Sequence, residues 1–345
     1  MNPDLTQQPT TDPAQLLRYR DRQYAAELMA AAIVHLDLFS WLKKNPGVST
    51  DELLKYYKFA ERPADVLLTL ARANGLIKTT EDQHSITPLA EEFLTSDSSW
   101  NLHPYFAPIQ DTQITQDFLT VLRTGKPANW QSQEEGSDWH TSMLDEDFAR
   151  SFTQIMNCRG LAFGQNLAQS LTPHLADKSH LLDIGGGSGI YANTMIAAHS
   201  HLTGVVMEQA PVDAIAREEI AKHGLSEKLE VITADMFEVD WPACDVLLLS
   251  NVLHDWDMPE VRILCEKAAA ALTTNGLLVI HEAFINDEKT GPLPVAEYSA
   301  LLMNITQGKC YCPKEYGLIL KDLNFEVGPY QDTMADRGFV TAVKR

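Results

Sequence analysis

The alternation of apolar and polar positions divides the chain into an N-terminal stretch of helical period and a C-terminal stretch where strands and helices alternate. Over residues 14–42 apolar side chains recur at helical spacing and end in LDLFSWL. Ser49-Thr50-Asp51-Glu52 opens a further helix, with Ser49 and Glu52 at the spacing of a capping box. Another helix is expected over 61–74, stopped by Asn74-Gly75, after which LIKTTEDQHSITP alternates as a two-stranded wing turning near Glu81-Asp82. Helix, helix, helix and wing is the order of a winged helix. Residues 100–176 read as further helices, interrupted by a polar loop over 125–142.

From about residue 178 short apolar runs appear at 180–184 (HLLDI), 203–207 (TGVVM), 229–233 (LEVIT), 244–250 (CDVLLLS) and 276–281 (GLLVIH). Helical segments such as 258–272 separate them, and that alternation predicts a parallel, doubly wound α/β sheet. The closing stretch NFEVGPYQDTMADRGFVTAVKR supplies two more strands without a clear helix between them. An antiparallel hairpin is therefore expected to complete a seven-stranded, Rossmann-like sheet. The predicted division is a disordered tail (1–15), a helical winged-helix dimerisation domain (16–100), linking helices (101–176) and an α/β domain (177–345).

Charge and composition narrow the partners. The net charge of −20 opposes binding to nucleic acid or to an acidic membrane. The 61–74 helix carries Arg62 and Arg72 but also Glu61 and Asp65, so it lacks the basic face that phosphate contact requires. Packing and dimerisation are its expected roles. No uninterrupted apolar run approaches the ~18–20 residues that span a bilayer, and the polar opening MNPDLTQQPTTDPAQ does not read as a signal peptide. The five cysteines are odd in number and lack a framework spacing, which suits a reducing, cytoplasmic setting. Cys310 and Cys312 have no second pair nearby, so no metal site is expected.

The strongest chemical signal is Asp183-Ile184-Gly185-Gly186-Gly187-Ser188-Gly189, directly after the first strand of the α/β stretch. Such a run lets the backbone turn sharply and approach a ligand closely. It does not match the dinucleotide fingerprint, because Ile190 stands where the third glycine belongs. Glu208 ends the second strand about twenty residues on, where a carboxylate can accept both hydroxyls of a ribose. Asp235, Met236 and Phe237 follow the third strand, and one acceptor beside two apolar side chains suits an adenine. Ser250–His254 and Glu282 follow the fourth and fifth strands. Each group therefore falls at the carboxyl end of its strand, where open α/β sheets bind ligands. His254 can take a proton from a phenol-like hydroxyl, and Glu282 is placed to hold and polarise it. Asp257 reads as the cap of the next helix, with Glu260 as capping-box partner.

On these motifs the chain resembles the S-adenosylmethionine-dependent small-molecule O-methyltransferases that act on plant phenolics, on acetylserotonin and on bacterial antibiotics. The resemblance runs from about residue 20 to the end, carried by VHLDLFSWL, STDELL, LLTLARANGLI, ITPLAEEFL, LLDIGGGSG, TADMF and NVLHDWD. It implies a metal-independent homodimer, with the methionine part of the cofactor along Gly185–Gly189, including Gly185 and Gly187, the ribose on Glu208 and the adenine on Asp235, Met236 and Phe237. It further implies His254 as general base flanked by Glu282, Ser250 near the cofactor, and Phe152, Met156, Met303 and Cys310 against the acceptor. One departure stands out: Cys310, within Gly308-Lys309-Cys310-Tyr311-Cys312, replaces a second acid found in many members. The resulting expectation is methyl transfer to a hydroxyl of a small aromatic molecule. Methylation of nitrogen, sulfur or carbon, a reassigned enzyme that keeps the cofactor, and a winged-helix ligand sensor are the alternatives.

Overall fold

The structure is a computed structural model of the chain that describes residues 4–128 and 142–345. The chain forms two compact units: one holds residues 16–138 and 285–312, the other 1–15, 139–284 and 313–345. This division corrects the expected boundaries. The segment 285–312, assigned above to the α/β domain, folds with the N-terminal unit, because its apolar helix packs on helices of that unit. The polar stretch expected over 125–142 lies, from 129 to 141, outside the described residues.

The N-terminal unit begins with α1 (Ala14–Asp21), α2 (Ala25–Ala30) and α3 (Leu38–Lys44). Strand β1 (Val48–Ser49) leads into α4 (Thr50–Tyr57), whose capping box is formed as expected: Ser49 accepts the Glu52 N–H while Glu52 accepts the Ser49 N–H. Replacing Ser49 by Ala should cost about 1 kcal/mol of that helix. Next come α5 (Glu61–Ala73), the hairpin β2 (Ile77–Thr80) and β3 (Gln83–Ile86), then α6 (Pro88–Phe93), α7 (His103–Phe106) and α8 (Gln113–Thr124). The hairpin turns at Glu81 and Asp82, both at positive φ, and β1 adds to β3 to give a three-stranded antiparallel sheet. Both arginines of α5 point inward: Arg62 donates to the carbonyls of Gly308 (2.6 Å) and Gly125 (2.7 Å), and Arg72 to that of Lys289 (2.8 Å).

The second unit starts with the long α9 (Glu146–Leu175), then β4 (His180–Ile184), α10 (Ile190–Ala198), β5 (Thr203–Glu208), α11 (Val212–Lys222) and β6 (Leu229–Thr233). β7 (Cys244–Ser250), α12 (Met258–Ala271) and β8 (Leu272–Glu282) complete the parallel core. The chain then supplies α13 (Leu293–Ile305) to the first unit before returning with α14 (Pro313–Asp322), β9 (Phe325–Val327), β10 (Gln331–Asp332) and β11 (Gly338–Lys344). Strand order is β10-β11-β8-β7-β4-β5-β6, with β9 also on β11. β9 and β10 pair with opposite ends of β11, at Val343–Glu326 and Gln331–Phe339, so the two pieces share one edge position. The expected seven positions are present, filled by eight strands. β4 and β7 are buried nearly throughout, the pattern of parallel strands covered by helices on both faces.

The tail expected to be disordered packs instead on this unit from residue 4. Leu5 is buried, Gln8 donates to the Gln165 carbonyl (3.1 Å), and Gln165 donates to that of Asp4 (2.7 Å). Asp12 accepts the Ala335 N–H with both oxygens, at 3.1 and 3.2 Å.

Candidate functional site

The carboxyl ends of the parallel strands lie level: Ile184 is opposite Met207, Glu208 opposite Thr233, and Ser250 opposite His281. Between β4 and α10 the glycine loop turns back, its Gly185 N–H donating to the Met207 carbonyl at 2.9 Å. Two glycines are required for different reasons. A Cβ on Gly186 would stand 2.8 Å from both Asp183 Oδ2 and Val206 Cγ1. Gly187 has φ +58°, and a Cβ there would meet nothing within 4 Å, so its backbone borders open space. Its N–H donates to Glu208 Oε2 (2.9 Å), which ties the loop to the end of β5.

Glu208 accepts a second N–H, that of Gln209, on Oε1 at 2.9 Å. Burial nevertheless pushes its carboxyl up to about 7, against these two bonds. Asp183 is buried deeper, at the N-terminal end of α10, and burial followed by the Glu208 charge pushes it up to about 8. A ligand that donates hydrogen bonds to Glu208 would favour its charged form. Asp235 is exposed and accepts the Phe237 N–H (2.8 Å), which fixes the turn after β6. Phe237 meets Trp256 edge to face at 4.6 Å, and Trp241 donates to the Met236 carbonyl (2.9 Å), giving an aromatic wall beside one carboxylate.

His254 lies on a single 3-10 turn (Leu253–Asp255) after β7 and is 3% exposed. Glu282 reaches it differently from the expectation. Its Oε1 accepts the backbone N–H of His254 (3.0 Å), while Oε2 accepts the Tyr316 hydroxyl (2.5 Å). The carboxylate thus fixes the loop that carries the imidazole. Burial, then the charges of Arg159, Arg337 and His281, lowers the His254 pKa well below the ordinary histidine value, so the resting ring is neutral and a weaker base than an exposed histidine. Burial pushes Glu282 itself up to about 7. Asp257 is the N-cap of α12, but its side chain accepts the N–H of Met258 (2.8 Å) rather than that of Glu260, as the expected capping box would have it.

Ser250 is buried and bonds His281 Nδ1 (2.9 Å) and Asn251 Nδ2 (3.1 Å). Phe152 and Met156 lie on α9 in the same unit, with Phe148 stacked on Phe152 and Arg159 donating to the Met156 sulfur (3.1 Å). Met303 and Cys310 belong to the N-terminal unit, where both are buried and the Cys310 N–H donates to Ser299 Oγ (3.0 Å). Sequence reasoning missed Arg159 and Arg337, which both stand over the Phe163 ring at 5.7 and 5.6 Å, and also Tyr316 and His281. Of these, only His281 carried a signal, because it immediately precedes Glu282 at a strand end. Among the described residues no cluster of His, Cys, Asp and Glu has the geometry of a metal site.

A half-buried carboxylate facing a glycine turn that borders open space, with an aromatic wall after the neighbouring strand, fits a nucleoside carrying a short chain. Comparison with known proteins agrees. Residues 117–326 match the O-methyltransferase domain family, which is more than half of the chain. A 3-hydroxy-5-methyl-1-naphthoate 3-O-methyltransferase from Streptomyces sahachiroi is 28% identical over 265 residues, covering 76% of this chain and 75% of that protein. The solved structure of an O-methyltransferase family 2 protein from Planctomyces limnophilus, in complex with apigenin, aligns with TM-score 0.88 and 28% identity over 99% of both chains. Human N-acetylserotonin methyltransferase, solved with S-adenosylmethionine, shares the fold at TM-score 0.61 and 19% identity, over 98% of this chain and 99% of that one. The chain belongs to the O-methyltransferase family and is an S-adenosylmethionine-dependent O-methyltransferase.

Proposed function

We propose that the chain methylates a hydroxyl of a small aromatic acceptor, with His254 as the general base. The observation that carries this reading is the buried, neutral imidazole on a loop whose backbone Glu282 holds, at the strand ends that also carry the glycine loop. When bound, S-adenosylmethionine supplies an electrophilic methyl group on its sulfonium sulfur. Gly185 and Gly187 offer backbone to its methionyl portion, Ser250 lies near it, Glu208 accepts the ribose hydroxyls, and Asp235, Met236 and Phe237 receive the adenine. On the catalytic unit, Phe152 and Met156 are the residues that meet the acceptor.

An acceptor phenol with pKa near 10 is a poor nucleophile until its proton leaves. His254 takes that proton. Burial, the larger cause of the lowered His254 pKa, weakens the imidazole as a base, while the positive charges of Arg159 and Arg337 that add to the shift would favour a phenolate close to them. The hydroxynaphthoate in the name of one relative and the apigenin bound to the other support a flat phenolic acceptor. Exposed Leu16, Tyr19, Tyr56, Trp100 and Tyr105 on the N-terminal unit support a homodimer. The acidic charge and the cysteine pattern support a cytoplasmic location. Among the described residues no single helix is long and apolar enough to cross a membrane.

The test is transfer of labelled methyl from S-adenosylmethionine to a panel of phenols, paired with calorimetric binding of S-adenosylhomocysteine. His254→Ala should lose roughly 10²–10⁴ in kcat while binding the product cofactor unchanged. Glu208→Ala should weaken that binding about tenfold or more, ~1.4 kcal/mol. Full turnover by His254→Ala on phenols would remove the base. Turnover confined to aromatic amines, which need no prior deprotonation, would favour nitrogen as the acceptor atom.

A further inference from the structure

Ser250 belongs to a connected set of polar groups. Ser250 Oγ meets His281 Nδ1 at 2.9 Å, and the opposite ring nitrogen, Nε2, meets Thr333 Oγ1 at 3.4 Å. Asn251, at φ +55°, bridges Ser250 Oγ and the Tyr191 hydroxyl, both at 3.1 Å, while its N–H donates to the His281 carbonyl at 2.9 Å. His281 is fully buried, and burial followed by Arg337 and Arg159 pushes its pKa down to about 3. A neutral imidazole has one N–H, so it donates to one hydroxyl and accepts from the other. The ring is therefore one of the partners that orient the Ser250 hydroxyl, beside the Asn251 amide that donates to it.

Thr333 opens the loop that precedes β11. The Thr333 N–H donates to the Arg337 carbonyl (2.9 Å), Arg337 donates to the Ala335 carbonyl (2.9 Å), and Ala335 and Asp336 both sit at positive φ, +56° and +58°. Residues with a Cβ seldom adopt that conformation without an external hold. Here the hold comes from the other end of the chain: both oxygens of Asp12 accept the Ala335 N–H.

We propose that His281 and Asp12 are positioning residues for the cofactor site, His281 by orienting the Ser250 hydroxyl and Asp12 by pinning the 333–337 loop that supports His281. This rests on the reading that Ser250 contacts the cofactor. The N-terminal segment then belongs to the catalytic unit in function as well as in packing, although it lies over 230 residues from Ser250 in sequence.

The experiment is calorimetric binding of S-adenosylhomocysteine, with thermal melts alongside, for Ser250→Ala, His281→Leu, His281→Asn, Asp12→Ala, Asp12→Asn and the pairs of His281→Leu and Asp12→Ala with Ser250→Ala. Loss of one oriented hydrogen bond predicts roughly three- to tenfold weaker binding for Ser250→Ala and His281→Leu, and about threefold for Asp12→Ala. His281→Asn, which keeps a partner near the Nδ1 position, and Asp12→Asn, which keeps one acceptor, should recover most of the affinity. Each pair should bind no worse than Ser250→Ala alone, because the effect passes through that hydroxyl. A merely structural role would lower the melting temperature and add fully to Ser250→Ala, and that result would overturn the proposal. Should His281→Leu fail to fold, Asp12→Ala on the surface decides: unchanged affinity there, with Ser250→Ala weakened, overturns it too. Unchanged affinity in Ser250→Ala itself would instead remove the assignment of Ser250 to the cofactor.

Discussion

Glu208 carries a proton-linked choice. Its carboxyl sits near 7 because burial opposes its charge, yet hydroxyl donors need that charge. Binding of a ribose should therefore release protons below about pH 7, and S-adenosylhomocysteine should bind more tightly at pH 8 than at pH 6. The sign for stability is the reverse. A carboxyl with a raised folded pKa contributes stability at low pH that is lost as pH rises through about 7, so the ligand-free enzyme is penalised where the ligand binds best. Ligand-induced gain in melting temperature should consequently be larger at pH 8, and Glu208→Gln should bind weakly and flatten the profile. A flat profile in the unmodified enzyme would show that Glu208 does not accept from the ligand. Glu208 was legible from sequence because a visible apolar run ends on it, as were Gly185–Gly189 and Asp235–Phe237. Arg159, Tyr316 and Arg337 were not, since each arrives from a segment remote in sequence with no local pattern to mark it.

At the scale of elements, the glycine loop is held from behind by helix contact. A Cβ on Gly160 would come within 2.7 Å of Ile190, and one on Gly164 within 2.4 Å of Thr194 Oγ1. Ser188 of the loop also donates to Asn157 on α9, at 2.9 Å. These glycines, four residues apart, let α9 lie on α10 just where the loop ends. Gly164→Ala should therefore destabilise the protein by about 2 kcal/mol through overpacking, and Thr194→Ala should restore most of that loss by removing the obstructing atoms. Melting curves of the two single variants and the pair check this; independent losses in the pair would contradict it. Helical period made α9 readable, whereas the close approach was not, because glycine spacing is informative only once the partner helix is known.

For the whole molecule, the expected homodimer would bury the apolar side chains that the N-terminal unit exposes. Light scattering should give about twice the 38.5 kDa chain mass, and Tyr19→Asp with Tyr105→Asp should shift it towards the monomer. A monomeric mass for the unmodified protein at micromolar concentration would remove that reading. The strand alternation had disclosed the α/β unit nearly strand by strand. It did not disclose that the chain visits the N-terminal unit twice, because α13 is apolar enough to pass for another sheet-covering helix.

That second visit constrains how the protein is made. A ribosome delivers residues 16–138 early, with Asp65 waiting for the cations it will pair with, Lys289 and Lys309, and Arg62 for the Gly308 carbonyl. Those partners emerge only after the parallel strands β4 to β8. A unit whose larger part is synthesised before the parallel strands is thus completed only after them, and until then the nascent chain presents an open apolar face to whatever surrounds it.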